Sequence, residues 1–311
     1  MEVRKWDGKP ITENGWVSDI PIERYHSAGM CSGPSVSSTD LRTCWSHSPA
    51  KMFAFWAENP QREEREVTNA MLLGGCAHYL LLGEANFRQK YAAQPEEYPG
   101  PKGEMKKWHM GADYCKEWVA FHEAKGFTIV TVKILNAIVK MAESLRILAL
   151  VKDGLLRGHV ETSGFFWDQE SNLWLKVRPD VVPSDGPEFV DLKTAADVTT
   201  VALQNSIHTY GYNQQAALIA EVCEGLGQPF DGFMCMFVET KAPYCARMAP
   251  LTDVDLGLGR QQNRDSLRRI SASIKAGHWP GPGEDNPLQP LGMGKDKRER
   301  IMARLTHEGL V

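Results

Sequence analysis

EFVDLKT, residues 188–194, sets an aspartate and a lysine two residues apart in what otherwise reads as a buried strand. Successive residues of a strand point to opposite faces, so Asp191 and Lys193 project together. Charge withdrawn from water is costly unless it is paired or coordinates a metal, so the pair needs a chemical reason. The acidic-x-Lys pattern alone does not supply one, because the chain holds five: Asp7–Lys9, Glu104–Lys106, Glu123–Lys125, Asp191–Lys193 and Glu239–Lys241. Only the 191–193 pair follows an apolar strand start, Phe189–Val190, and only it has a carboxylate at the end of the preceding strand, Asp180 in RPD (178–180).

A hairpin through PSDGP (183–187) can bring Asp180 and Asp191 side by side, where two carboxylates repel unless a cation lies between them. Acidic oxygens that hold Mg²⁺ or Mn²⁺, with a lysine beside the attacking water, are the ingredients of metal-assisted hydrolysis. The competing reading is two turn carboxylates paired to Arg178 or Lys193. Glu161, in the run GHVETSGFFW (158–167), is either a third acidic contributor or a solvent-facing strand residue. Tyr212 and Gln215 lie three apart on one predicted helix face, where a neutral amide can orient water or phosphate, or can simply be surface. His78 sits in the apolar helix of NAMLLGGCAHYLLLGE (69–84), as a satisfied core histidine or as part of the site.

Outward from this point, GHVETSGFFW, LWLKVRPDVV (173–182) and EFVDLKT read as a three-stranded antiparallel meander separated by DQESN and PSDGP. PFDGFMCMFVET (229–240) is a further strand. Helices are expected through Trp45, with Ser38, Thr39 or Asp40 as N-cap, and from Pro49 to a stop at Pro60. Others are expected in 69–84, in 104–125, and in 132–154 ending near Gly154. The segment 200–227 is helical with Gly211 a weak point and Gly225 or Gly227 the stop, and 252–276 is an amphipathic helix. Strands flanked on both sides by helices give an α/β core. The division expected is an irregular segment over 1–35, a single domain over 36–280 with a peripheral helical excursion at 84–127, and a Pro/Gly linker with a basic tail over 281–311.

Composition narrows the classes. With 42% hydrophobic and 24% charged residues the chain has ordinary globular composition. No apolar run approaches the roughly 20 residues that span a bilayer, and the first residues lack the apolar core of a signal peptide, so the expected address is the cytoplasm. The seven cysteines form no C-x-x-C pair, which argues against a zinc or iron–sulfur site and for reduced thiols. A net charge of −4 and a pI near 6.2 do not advertise a nucleic-acid binder, so contact with DNA needs a local patch or a channel between subunits. The nucleotide motifs G-x-x-x-x-G-K-[ST] and G-x-G-x-x-G and the zinc motif H-E-x-x-H are absent, and nothing suggests ATP.

Taken in order, RPDVV, VDLKT and GYNQQAAL resemble the signature strings of the PD-(D/E)xK nuclease superfamily, and more closely its exodeoxyribonuclease VIII (RecE-like) phage branch, relatives of lambda exonuclease. SVSSTDL, GGCAHYLLLGE, GHVETSGFFWD and FVETKAPY extend the resemblance over about 20–280. It implies a restriction-endonuclease-like α/β core, a central mixed sheet flanked by helices with an N-terminal helical elaboration. It also implies metal binding by Asp180, Asp191 and the Leu192 carbonyl, with His78 and Glu161 completing the site. Lys193 would activate or position water, and Gln215, supported by Tyr212, would orient water or phosphate. Asn213 stands where many members have histidine.

The activity implied is a Mg²⁺- or Mn²⁺-dependent, ATP-independent exodeoxyribonuclease. It would degrade linear double-stranded DNA from its ends, 5′ to 3′, and leave 3′ single strands for recombination. The partners implied are duplex DNA ends, a RecT- or beta-like single-strand annealing protein, and copies of the same chain in a ring, in a bacterial host's cytoplasm. The rivals are a structure-specific or restriction-like endonuclease on the same core, and a non-catalytic DNA-binding or assembly protein.

Overall fold

A computed structural model describes residues 2–64, 68–81, 87–148, 158–160, 162–184, 188–284 and 292–308. The strand that carries Asp191 runs Glu188–Ala195 and lies at the centre of a mixed sheet. It pairs in parallel with Gly232–Glu239 over its whole length, Asp191 opposite Cys235 and Lys193 opposite Phe237. On its other side it runs antiparallel to Val181–Pro183, which pairs in turn with Gly158–Val160; Ala246–Pro250 closes the far edge beside Gly232–Glu239.

Helices cover both faces, which explains why this strand reads as a nearly continuous apolar run. Even-numbered residues, Val190 and Leu192, pack with Ala77, Met141 and Leu145 beneath the helices Asn69–Leu81 and Val132–Arg146. Phe189 faces the opposite way, into the main core shared with Ala216, Ile219 and Val222 of the helix Tyr212–Gly225. The helix Asn69–Leu81 lies against the sheet at Gly74, where a Cβ would make an ordinary van der Waals contact, 3.7 Å from Thr194 Oγ1.

The expected meander forms, but two of its three runs are broken. GHVETSGFFW divides into Gly158–Val160 and Ser163–Asp168, and LWLKVRPDVV into Leu173–Val177 and Val181–Pro183. One hairpin therefore serves two sheets. Its outer half joins Val3–Lys5, Gly15–Ser18 and Ser35–Val36 in a second five-stranded sheet. Pro179 marks the break because it has no N–H for the ladder.

Other expectations are corrected. Residues 1–35 supply strands to that second sheet and are not irregular. The excursion at 84–127 is mixed: Tyr91–Gln94 pairs with Thr128–Thr131, Glu97–Pro99 with Met105–Lys107, and its longest helix is Asp113–Ala124. The first long helix, Ser38–Ser46, is capped by Ser37, whose N–H and hydroxyl both donate to Asp40 at 2.7 Å. The next, Pro49–Phe55, stops before Pro60 because Trp56 turns away to donate its indole N–H to the Ser35 carbonyl at 2.8 Å. The helix after FTIVT ends at Arg146, and Gly154 lies outside the described residues. Lys295–His307 is a helix with no buried residue. Among the described residues no helix is long and apolar enough to cross a membrane.

Candidate active site

The bend that carries Asp180 abuts the middle of the central strand. Asp180 Oδ2 accepts the Leu192 backbone N–H at 2.6 Å, and its Oδ1 accepts from His78 Nδ1 at 3.0 Å. Asp191 is 2% exposed, and its Oδ1 accepts from Gln215 Nε2 at 2.8 Å. Gln215 turns its other atom to Lys193, whose ammonium donates to Oε1 at 2.8 Å. The same ammonium stands 2.5 Å from Asp191 Oδ2, yet that buried oxygen accepts no aligned hydrogen bond.

The helix supplying Gln215 starts where it does because Gly211 breaks the preceding one. Gly211 has φ +61°, a left-handed conformation open to glycine, and separates Thr200–Tyr210 from Tyr212–Gly225. Tyr212 and Gln215 therefore share the first turn of the new helix and face the sheet. The Tyr212 ring lies 4.8 Å below the Lys193 ammonium and 6.0 Å from the Phe237 ring.

Four interdependent charges meet here. Burial tends to raise the Asp180 carboxyl, but the charge and hydrogen bond of His78 hold it below the usual range. Burial and the charge of Asp180 push Asp191 up against the pull of Lys193. Burial tends to lower Lys193, and Asp191 more than offsets it. Burial also opposes the His78 proton, but Asp180 raises its pKa to about 9. The two carboxylates thus differ, with Asp180 firmly ionised and Asp191 nearest to protonation.

The residues singled out in the sequence are largely brought together: His78, Asp180, Asp191, Lys193 and Gln215 form one contact network, with Tyr212 beneath and Leu192 engaged through its N–H. Glu161 lies outside the described residues. Among the described residues, no three His, Cys, Asp or Glu side chains surround a common point as metal ligands.

The cleft over this network, about 460 Å³, is lined also by Arg178, the alternative carboxylate partner, and by two residues without a sequence signal of the same kind, Arg42 and Lys176. Lys176 is 1% exposed; its ammonium donates to the Tyr25 carbonyl at 2.9 Å and lies 5.1 Å from the Tyr25 ring centroid. Burial lowers its pKa. The Lys176 signal is LWLKV itself, a lysine within an apolar strand four residues before Asp180.

Residues 37–286 match the profile of the family described as a PDDEXK-like domain of unknown function (DUF3799). Among solved structures, a Eubacterium rectale protein provisionally described as an exonuclease superposes with a TM-score of 0.54 at 16% identity, covering 86% of this chain and 92% of the other. At that identity the likeness is one of fold. A phage-related exonuclease from Haemophilus somnus 129PT (TM-score 0.29, 12% identity, 65% of this chain and 94% of that one) resembles it more loosely. So does the alkaline exonuclease LHK-Exo of Laribacter hongkongensis (0.26, 12%, 54% and 85%). No curated protein matches the sequence.

Proposed function

Since the chain belongs to the PDDEXK-like family of unknown function DUF3799, we propose that it is a metal-dependent nuclease that removes nucleotides from the ends of linear double-stranded DNA. The observation that carries this reading is the closed Asp180–Asp191–Lys193–Gln215 constellation at the floor of an open cleft. One solved structure of similar fold is provisionally described as an exonuclease, which favours attack from an end.

The donor set suits an oxygen-preferring dication. Mg²⁺ is typically held by one or two carboxylates and completes its shell with water and substrate phosphate. Asp180 and Asp191 supply those carboxylates, with His78 and the Leu192 backbone adjoining, and Asp191 Oδ2 is a buried acceptor without an aligned donor. Bound there, Mg²⁺ or Mn²⁺ would polarise the phosphodiester and acidify water.

The chain's own groups do the rest. Lys193, held by Asp191 and Gln215, keeps a fixed positive charge beside the carboxylates, where it would steady the negative charge that develops on phosphate. Gln215 spans Asp191 and Lys193 through both amide atoms, so it locks their orientation. Tyr212 packs under the Lys193 ammonium and keeps its stem from swinging out. Lys176 and Arg178 line the cleft wall beside this network.

The finer reading, carried by the family resemblance, is degradation from 5′ to 3′ that leaves a 3′ single strand for a RecT- or beta-like annealing protein, by a ring of copies. The decisive experiment is digestion of 5′-phosphorylated linear duplex, labelled separately at each end, with Mg²⁺ or Mn²⁺. Wild type should release label from the 5′ ends first and spare covalently closed circles, and Asp191→Ala should release none. Cutting of the closed circle would show an endonuclease instead, and an Asp191→Ala variant as active as wild type would remove the site assignment.

A further inference from the structure

A second, larger cleft of about 1320 Å³ lies beside the first and shares Thr39 and Arg42 with it. Small-molecule pockets occupy about 300–1,000 Å³, so this space suits an extended ligand. Its walls come from the helices Ser38–Ser46, Thr200–Tyr210, Tyr212–Gly225 and Asp253–Ala276. Two aromatic side chains open onto it with much of their surface uncovered, Trp45 at 43% and Tyr210 at 56% exposed.

Tyr210 is tied directly to the catalytic network. Its ring stacks on Tyr212 at 5.7 Å and 25°, and Tyr212 in turn lies 4.8 Å beneath the Lys193 ammonium. Arg42, on the lip between the clefts, donates to the Tyr210 carbonyl, to Ser38 O at 3.2 Å and to Thr39 Oγ1 at 3.0 Å. The Gly211 turn leaves room for this, because a Cβ there would stand 2.7 Å from Arg42 Cδ.

The electrostatics say which part of a nucleic acid would face this groove. Arg42 is outnumbered by Asp255 and Asp265, and amides such as Gln204, Asn213 and Gln262, with His47 and His208, make up much of the remainder. That lining does not track a phosphate backbone, which takes a row of cations. Exposed aromatic rings among neutral hydrogen-bonding groups instead suit unpaired bases, which stack on any π face with little regard to sequence.

We infer that this groove holds a single-stranded stretch of the strand being cut, its bases stacked on Trp45 and Tyr210 and its backbone leading over Arg42 to Asp180 and Asp191. The inference deepens the nuclease reading and rests on it. The groove keeps the strand's end unpaired and in line with the site, so duplex must be opened before a phosphate arrives.

The test uses a short fluorescent oligothymidylate in EDTA, so that nothing is cut, with wild type, Trp45→Ala, Tyr210→Ala and the double variant. Each alanine should weaken binding about fivefold or more, as expected for one lost stacking partner, and leave the salt dependence unchanged. Tyr210→Phe should bind like wild type. An abasic strand of equal length should bind wild type as poorly as the thymidylate binds the double variant. Equal binding by wild type and the double variant, or by abasic and normal strands, overturns the inference. So does a double variant that falls apart into smaller species in sedimentation, which marks the groove as a protein interface. Thermal melts confirm that the variants fold. Hydrolysis of bis(p-nitrophenyl) phosphate with Mn²⁺ by the wild type is measured alongside. If wild type cleaves neither this ester nor DNA, the nuclease reading fails, whereas normal cleavage with unaltered binding sinks only the groove.

Discussion

Replacing Lys193 by Met tests the central pair where structure and chemistry meet. The ammonium lies 2.5 Å from Asp191 Oδ2 and is the nearest cation to a carboxylate that also faces the charge of Asp180. At an effective dielectric of about 20, two unit charges at that separation attract by roughly 7 kcal/mol. Desolvation of the two ions offsets several kcal/mol of this, so loss of the lysine should cost about 3 kcal/mol near pH 8. Asp191 can limit the damage by taking up a proton, since its folded-state pKa is already raised. Methionine raises it further. A raised carboxyl binds more protons folded than unfolded, so its stability contribution is present at low pH and lost as pH rises through the folded value. His78, with a pKa near 9, keeps its proton in both proteins below pH ~8 and largely cancels from the difference. The gap between variant and wild type should therefore narrow as pH falls from about 8 to about 5.5. Urea denaturation in EDTA at both pH values measures it, and nuclease assays should show a loss of about 10²-fold or more. A gap that stays constant or widens toward low pH would refute the account of Asp191 as a carboxylate held ionised by Lys193.

Gly259 meets the Asn213 carbonyl so closely that a Cβ would stand 2.3 Å from its oxygen, so Gly259→Ala should cost about 3 kcal/mol in urea denaturation. Gly257→Ala, on the same helix with nothing within 4 Å, should stabilise by about 0.5–1 kcal/mol. For His78, raised to about 9, the contribution to stability is full below about 6.5 and lost as pH rises through 9. Wild type in EDTA should therefore lose about 3 kcal/mol across that window, and His78→Gln should flatten the profile. A thiol reagent should label Cys245 at once and the other six cysteines only after unfolding, since they are buried. Among those six, burial pushes Cys44 and Cys76 up to about 11 and Cys31, Cys223 and Cys235 up to about 12.

The elements legible in the sequence were those whose local signals agree with their tertiary use. The helices at 69–81, 132–146 and 253–276 are apolar or amphipathic at the helical period, and the Gly211 break is marked by the residue that tolerates its backbone. The second sheet was not legible because its edges are Val3–Lys5 and Ser35–Val36, strands of three and two residues, the latter defined by a partner far along the chain, Leu173–Val177. For the same reason GHVETSGFFW looked like one strand: periodicity records which residues are apolar, not which sheet buries them. Ala246–Pro250 went unseen because its residues are mostly half-buried at an edge and carry no clean alternation.

The site was legible for a different reason. A charge in an apolar strand violates local preference, and such violations mark positions that the fold retains against its own stability. Asp191 and Lys193 carried that mark, and so did Lys176, whose neighbours Leu175 and Val177 are as buried as Phe189 and Val190. Lys176 was overlooked because it has no acidic partner two residues away. Its compensation is a backbone carbonyl and an aromatic face from Tyr25, 151 residues earlier in the chain. Spacing can reveal a charge balanced within its own strand, but not one balanced by a distant loop. In this fold the two kinds lie on either side of Pro179, where one hairpin passes from the second sheet to the first, and the passage itself sets Lys176 and Asp180 on the walls of the same cleft.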